Sequence, residues 1–370
     1  MILGIEASNI KAGGGLTHLR ELILAYQPEK EEKLVLFAGK KVLESLPKRD
    51  FIQKKGHPWL DKGALFNMLW RVFILPFEAK KQGINLLFSP GGNWLFGLPY
   101  VSMSQNMLVF ESIERNRFPS FKDRSRYQIL EIKQFLSFYF SSGILFISDY
   151  ARKFISNKYP SLKRKPNSVV YHGVADRFSK PLEASAETGK IRFLYVSILN
   201  YYKHQDILIE AFAELRKTHP EVELDLVGPA HSAYLKNLQP ALDASKEFVH
   251  YHGMVPHSEI HDFYKQADAF IFASTCENMP NILVEAMRSG LPVICSNFGP
   301  MPEILGEAGL YFDPTSVSDC HSVLLQYINN KETFREKAEE SSAMASQFTW
   351  GRCAEETFTF LRLVAKKQAQ

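Results

Sequence analysis

Between Ala269 and Cys295 the chain runs from one apolar stretch to another by way of a loop and a helical segment, and no other stretch restricts the fold as tightly. Ala269 to Ala273 reads as a buried strand, Asn281 opens a helix, and Leu291 to Cys295 reads as a second strand before a Gly-Pro loop. This is a strand–loop–helix–strand unit of an open α/β sheet, in which ligands bind beyond the carboxyl ends of the strands. Two carboxylates fall within it: Glu277, just past the first strand, and Glu285, on the helix. A carboxylate at a strand tip and another on the next helix can accept hydrogen bonds from paired hydroxyls. Backbone amides at the helix start (Asn281, Ile282 and Leu283) can receive an anion between them.

The rest of the chain repeats the theme. The first half alternates strands (Ile2 to Glu6, Leu34 to Ala38, Leu86 to Phe88, Pro99 to Ser104) with helical stretches at Leu16 to Tyr26, Leu65 to Lys81 and 113–140, the last interrupted near Pro119. After a loosely polar stretch, Pro181 to Lys190, the second half starts again. Strands are expected at Arg192 to Ser197, Glu223 to Val227 and Phe248 to His252, with helices at Gln205 to Lys217, Ser258 to Ala267 and Val317 to Asn329. Alternation of this kind argues for doubly wound parallel sheets, and 370 residues argue for two domains. The N-terminus, MILGIEASN, lacks a basic n-region, so no secretory signal is expected. Cys276, Cys295, Cys320 and Cys353 lack metal-ligand spacing and suit reduced thiols in a cytosolic protein.

The phrases ENMPN, EAMRSGLPV and GEAGLYFDP, in that order, resemble the donor-site motif of the retaining glycosyltransferases of family 4. That resemblance implies the GT-B fold: two Rossmann-like, doubly wound parallel-sheet α/β domains facing across a cleft. Residues 1–180 would form the acceptor-binding domain and 186–350 the nucleotide-sugar donor domain, with a boundary at about 178–190. Residues 351–370 would be a helix packing back on the first domain. The resemblance extends over nearly the whole chain but is specific only from about 195 to 314. It implies retaining transfer from a GDP- or UDP-linked sugar to a glycan or lipid-linked acceptor, with no cofactor and no required metal.

In that scheme Glu285 accepts the ribose hydroxyls, Glu277 orients the sugar, and Ser197, with the helix start at 281–283, belongs to the donor site. Lys203, in a loop between strand and helix, would meet the diphosphate as its negative charge grows. No nucleophile is assigned, which suits a front-face displacement in which the departing phosphate helps deprotonate the acceptor. Gly13, Gly14 and Gly15 follow the first strand, where glycine permits close backbone approach to a phosphate or sugar; Gly14 and Gly15 best match the family's pair. The chain departs from the pattern twice. Ile198 stands where many relatives carry arginine, so one cation fewer, or a substitute from elsewhere, is expected at the diphosphate. Gln105 and Asn106 stand where relatives often have histidine; both can hydrogen-bond a sugar, and neither is a useful base. Glu111 reads as a surface acid, and His172 with Gly173 as a structural turn.

Charge divides the chain unevenly. Residues 1–185 hold 28 Lys and Arg against 16 Asp and Glu, and the remainder 16 against 24. The basic half includes the aromatic-basic stretch from Glu114 to Phe140 and SLKRKPN further on, which suits either a solvated face or a helix at an anionic membrane surface. Without a helix-turn-helix, zinc-finger or RNP motif, nucleic acid is the weakest of the possible partners. The expectation is a cytoplasmic protein, with attachment to the inner face of the cytoplasmic membrane left open. Two rival readings stand beside transfer: a non-catalytic GT-B scaffold or membrane-binding protein, and a GT-B sugar-nucleotide epimerase.

Overall fold

The computed structural model describes residues 1–178, 189–256 and 258–369. The chain divides into two compact units. The first comprises Met1–Phe110, Lys122–Gly173 and Thr349–Gln370; the second comprises Glu111–Phe121 and Val174–Phe348. The boundary expected at about 178–190 falls mainly on 179–188, outside the described residues. The segment 111–121, which a simple division of the chain gives to the first half, packs with the second unit.

The first unit is built on seven parallel strands: β1 (Ile2–Glu6), β2 (Lys33–Phe37), β3 (Ile52–Lys55), β4 (Leu86–Ser89), β5 (Tyr100–Met103), β6 (Gly143–Phe146) and β7 (Asn167–Val169), in the order β3-β2-β1-β4-β5-β6-β7. The inner strands are near-continuous apolar runs, as expected of a parallel sheet covered on both faces. Gly4 lets β1 pack close to its neighbours, since a Cβ there would meet Leu87 Cδ2 at 2.6 Å and displace that side chain. Glu6 ends β1 with its carboxylate buried. It accepts from the Ser8 amide (3.1 Å), Ser89 Oγ (3.3 Å) and Asn93 Nδ2 (2.8 Å), and so joins the tips of β1 and β4. The stretch 65–81 is two helices, Ala64–Phe73 and Leu75–Lys81, because Pro76 cannot continue the first. The last helix, Trp350–Ala369, packs on the helix Gly13–Ala25 and on β4. Phe358 stacks on Tyr26 at 3.5 Å between ring centroids, and Arg362 pairs with Glu29 (3.0 Å) and Glu32 (3.3 Å).

The second unit holds six parallel strands: β8 (Ile191–Val196), β9 (Val222–Val227), β10 (Val249–Gly253), β11 (Ala269–Phe272), β12 (Val293–Ser296) and β13 (Leu310–Phe312), in the order β10-β9-β8-β11-β12-β13. In both sheets the order reverses at the strand that opens the unit, between β1 and β4 and between β8 and β11. Such reversals leave a crevice at the carboxyl ends of the flanking strands, where open α/β sheets bind ligands. All four cysteines are free and buried, and burial raises their thiol pKa values. They are packing residues.

Candidate active site

The reversal between β8 and β11 carries the residues singled out in the second half. After β8 the chain turns through Ser197 to a short helical turn, Tyr201–Lys203, whose first amide is capped by Asn200 Oδ1 at 2.9 Å. The Lys203 carbonyl accepts from the Tyr195 hydroxyl (2.9 Å), and the Tyr202 carbonyl accepts from the Thr275 amide (2.9 Å). The loop after β8 is thus fastened to the loop after β11. Lys203 Nζ bonds Glu277 Oε1 and lies 5.1 Å from the Phe272 ring centroid and 5.3 Å from that of Tyr202. At 5% exposure, Lys203 is not a solvated surface lysine. A buried ammonium must be paired, and Glu277 supplies the partner.

Glu285 sits on the helix Asn281–Arg288, is buried, and accepts from the Tyr264 hydroxyl at 3.2 Å, which also donates to the Ile282 carbonyl at 3.2 Å. Burial first, and then the Glu285 charge, raise the Tyr264 phenol well above its usual range, which keeps it a donor. The helix start at Pro280 has no side-chain cap. Of its three candidate residues, Leu283 is fully buried and turns its amide to the Pro280 carbonyl at 3.0 Å, while Asn281 and Ile282 are half-buried. Ser197 Oγ donates to the Ile198 carbonyl (3.2 Å) and accepts from Gln205 Nε2 (2.9 Å).

Several residues at this site carry no motif. Thr275 Oγ1 donates to Glu114 Oε2 at 2.6 Å, and His204 Nε2 lies 3.1 Å from the same hydroxyl. Arg117 Nε donates to Glu114 Oε2 at 2.7 Å. His204 adopts φ 49°, a left-handed conformation that costs a non-glycine residue about 1–2 kcal/mol. Burial, then the Arg117 charge, lower its pKa. Glu111 is not a surface acid: only 8% exposed, it is one of the charges that, after burial, raise the Cys276 thiol. The polypeptide that brings Glu111, Glu114 and Arg117 here is the excursion 111–121. It carries two basic residues, Arg115 and Arg117, into the second unit.

In the first unit the glycines lie differently from expectation. Gly13, Gly14 and Gly15 form the opening turn of the helix Gly13–Ala25 and are not a loop ahead of it. A Cβ on Gly14 would meet nothing within 4 Å, and one on Gly15 would have Gln105 Oε1 nearest at 3.7 Å. Gln105 Nε2 lies 3.5 Å from both His18 Nδ1 and the Pro90 carbonyl, whereas Asn106 Oδ1 caps a turn by accepting from the Leu108 amide at 3.0 Å. Gly15, Gln105 and Asn106 line one cavity of about 700 Å³. His172 is buried, its ring 4.5 Å from His18 and 5.8 Å from Trp350. It holds the junction with the last helix, consistent with its reading as structural.

Residues 178–344 match the family model described as Glycosyl transferases group 1. The second unit carries a group 1 glycosyl transferase domain. Over 118 residues this chain is 34% identical to O-antigen chain mannosyltransferase B of Escherichia coli, covering 32% of this chain and 31% of that protein. It is 27% identical over 238 residues to spore coat protein SA of Bacillus subtilis, covering 57% and 62%. The chain thus spans less than two thirds of these relatives. Among solved structures, sucrose-phosphate synthase from Thermosynechococcus elongatus superposes with a TM-score of 0.74 at 15% identity, over 98% of both chains. Anabaena HepE, in complex with UDP and glucose, gives 0.71 at 19% identity over 97% of this chain and 99% of that one. WaaG, a glycosyltransferase involved in lipopolysaccharide biosynthesis, gives 0.70 at 14% identity over 98% and 99%. The group 1 domain therefore belongs to a chain with the GT-B fold.

Proposed function

We propose that this protein is a retaining hexosyltransferase that moves a sugar from a GDP- or UDP-linked donor to a glycan or lipid-linked acceptor, without a required metal. The observation that carries the reading is the pairing of the buried Lys203 with the partly buried Glu277 at the strand reversal of the group 1 domain, with Glu285 on the following helix. In this reading the second unit holds the donor and the first the acceptor. Glu285, kept in place by Tyr264, accepts the ribose hydroxyls. Glu277 orients the sugar hydroxyls, and Lys203 exchanges part of its bond to Glu277 for the donor diphosphate. As the glycosidic bond breaks, negative charge accumulates on the leaving phosphate, where a fixed cation in a dry site stabilises the transition state more than the ground state. The leaving phosphate takes the acceptor hydroxyl proton on the same face, so the anomeric configuration is kept. The names of the relatives support sugar transfer, and the UDP and glucose of the HepE complex support a nucleotide-sugar donor.

Position on the inner face of the cytoplasmic membrane belongs to the same proposal. The helix Phe121–Phe140 exposes Phe121, Ile129, Ile132, Tyr139 and Phe140 beside Lys122 and Arg126. No helix among the described residues is long and apolar enough to cross a bilayer.

The test is a thermal-shift panel of nucleoside diphosphate sugars, followed by transfer assays with anomeric analysis of the product. A ligand at a hundred times its Kd stabilises by about 2.7 kcal/mol. Absence of stabilisation by every GDP- and UDP-sugar would sink the donor assignment, and an inverted product would sink the mechanism. Conversion of the sugar without any acceptor would point to an epimerase, and binding without turnover over an acceptor panel to a non-catalytic protein.

A further inference from the structure

The cavity of the first unit has a chemistry that hydroxyl recognition alone does not explain. It lies beyond the carboxyl ends of β1 and β4, the reversal point of that sheet, and is bounded by the loops 9–12 and 90–93. Four cations line it, Lys11, Arg71, Arg126 and Lys133, and among the described residues no carboxylate does. Arg71 is buried, and its Nη1 donates to a neutral partner, Ser8 Oγ, at 2.9 Å. Lys133 has its pKa lowered by burial and then by the positive charge of Arg71. Two side chains of the lining have buried amide atoms with no partner: Asn67 Oδ1 and Gln134 Nε2. The thirteen-residue helix that starts at Gly13 has neither a side-chain cap nor an acid in its first turn, and Ala12 and Gly15 at that end are part of the lining.

Of the four only Arg71 is buried, and the carboxylate at these strand tips, Glu6, is already engaged by Ser8, Ser89 and Asn93. Like charges gathered at one cavity repel one another, and a buried charge without a counter-charge is costly. A folded chain keeps such a cluster where an anion completes it. We infer that this cavity binds a phosphate or diphosphate group carried by the acceptor, with the neighbouring amides reading the hydroxyls attached to it. A phosphate monoester carries about −1.5 to −2 charges near neutrality, against one for a carboxylate, and so matches four cations better. Helix amides that have no internal partner favour the same charge. The inference rests on the assignment of the first unit to the acceptor. The same chemistry has two sources, a soluble sugar phosphate or an isoprenoid diphosphate, and the experiment separates them.

Calorimetric titrations of the full chain, with UDP and GDP both saturating, would compare glucose 6-phosphate with glucose, and geranyl diphosphate with geraniol. The expected result is at least a tenfold preference for the phosphorylated probe in one arm. Preference in the first arm identifies a sugar phosphate, and in the second a lipid diphosphate. Lys133→Gln and Lys11→Gln should each reduce that preference severalfold. Arg71→Gln should abolish it, with a melting curve to show that the variant folds. Equal binding of charged and neutral probes in both arms, or a preference unchanged in the double variant Lys11→Gln/Lys133→Gln, overturns the inference. Nucleotide affinity measured alone separates the two proposals. Intact nucleotide binding without phosphate preference removes only this one, whereas phosphate binding without nucleotide binding removes the donor reading instead.

Discussion

Thr275 and Glu114 are 161 positions apart in sequence and 2.6 Å apart in space, hydroxyl to carboxylate. The bond fixes the excursion 111–121 to the loop that presents Glu277, and Arg117 and His204 bond to its two ends. Glu114 is therefore a positioning residue. Thr275→Val should leave the Glu114 carboxylate short of a donor and cost about 1–3 kcal/mol of stability. It should also raise the KM for the donor more than it lowers kcat. Denaturant titration and steady-state kinetics check both; an unchanged unfolding midpoint would show that the bond is incidental.

Lys203→Ala strands Glu277 and should destabilise the fold by roughly 3–5 kcal/mol, the usual cost of breaking a buried pair from one side. The double variant Lys203→Met/Glu277→Leu should recover most of that stability while remaining inactive in transfer. Activity in the double variant would show that the pair serves the fold alone.

Glu285→Ala should weaken nucleotide binding by roughly 1.5–3 kcal/mol, the range for charged hydrogen bonds. Tyr264→Phe removes one donor from Glu285 and should cost less, about 1 kcal/mol. Titration calorimetry with UDP and GDP decides. Unaltered affinity in the Glu285 variant would exclude it from the ribose site.

Burial, and then the charge of His172, lower His18 well below 6.5. The unfolded chain then binds a proton that the folded one refuses, so stability rises with pH in the window below 6.5. It is fully present above that value and is lost as the medium becomes more acid. Denaturant midpoints should fall between roughly pH 7 and pH 5, and His18→Gln should flatten part of the slope. The same slope in wild type and variant would mean that other groups carry it, His204 being the first candidate.

The exposed aromatic and basic residues of Phe121–Phe140 predict sedimentation with anionic vesicles, each well-placed cation contributing about 1 kcal/mol and salt weakening the whole. Ile129→Glu/Ile132→Glu should abolish it while nucleotide affinity is retained. Equal association with neutral and anionic vesicles would leave this face without a membrane role.

The two sheets were legible because parallel strands covered on both faces have to be continuous apolar runs. The helices beginning at Gln205, Asn281 and Val317 start where turn signals and periodicity place them. What escaped was marginal in a physical sense. β3 is an edge strand reading Ile-Gln-Lys-Lys, and β13, at the other unit's edge, is three residues long. Edge strands are often short or lysine-bearing, because exposed apolar edges aggregate. The helix Ser232–Ala244 was hidden by Pro240 within it, and Lys331–Ala345 by its largely charged composition. At the candidate site, Glu277, Glu285 and Lys203 sit in recognisable phrases. Glu114 and Tyr264 do not, since a partner chosen through space leaves no local pattern.

The Trp350–Ala369 helix, stacked through Phe358 on Tyr26 and paired through Arg362 with Glu29 and Glu32, has a consequence for biosynthesis. The strands of the first unit precede those of the second in the chain, yet its final helix lies beyond the second unit's sequence and is translated after it. Most of the chain therefore leaves the ribosome while the surface around Tyr26 and β4 has nothing to cover it. The second unit, whose described residues end at Phe348, has its whole sequence available earlier. Domains fold as units during synthesis, so the first unit, although its strands are made earlier, is the later of the two to be completed. Nascent chains stalled before residue 349 should thus bind chaperones through their N-terminal half.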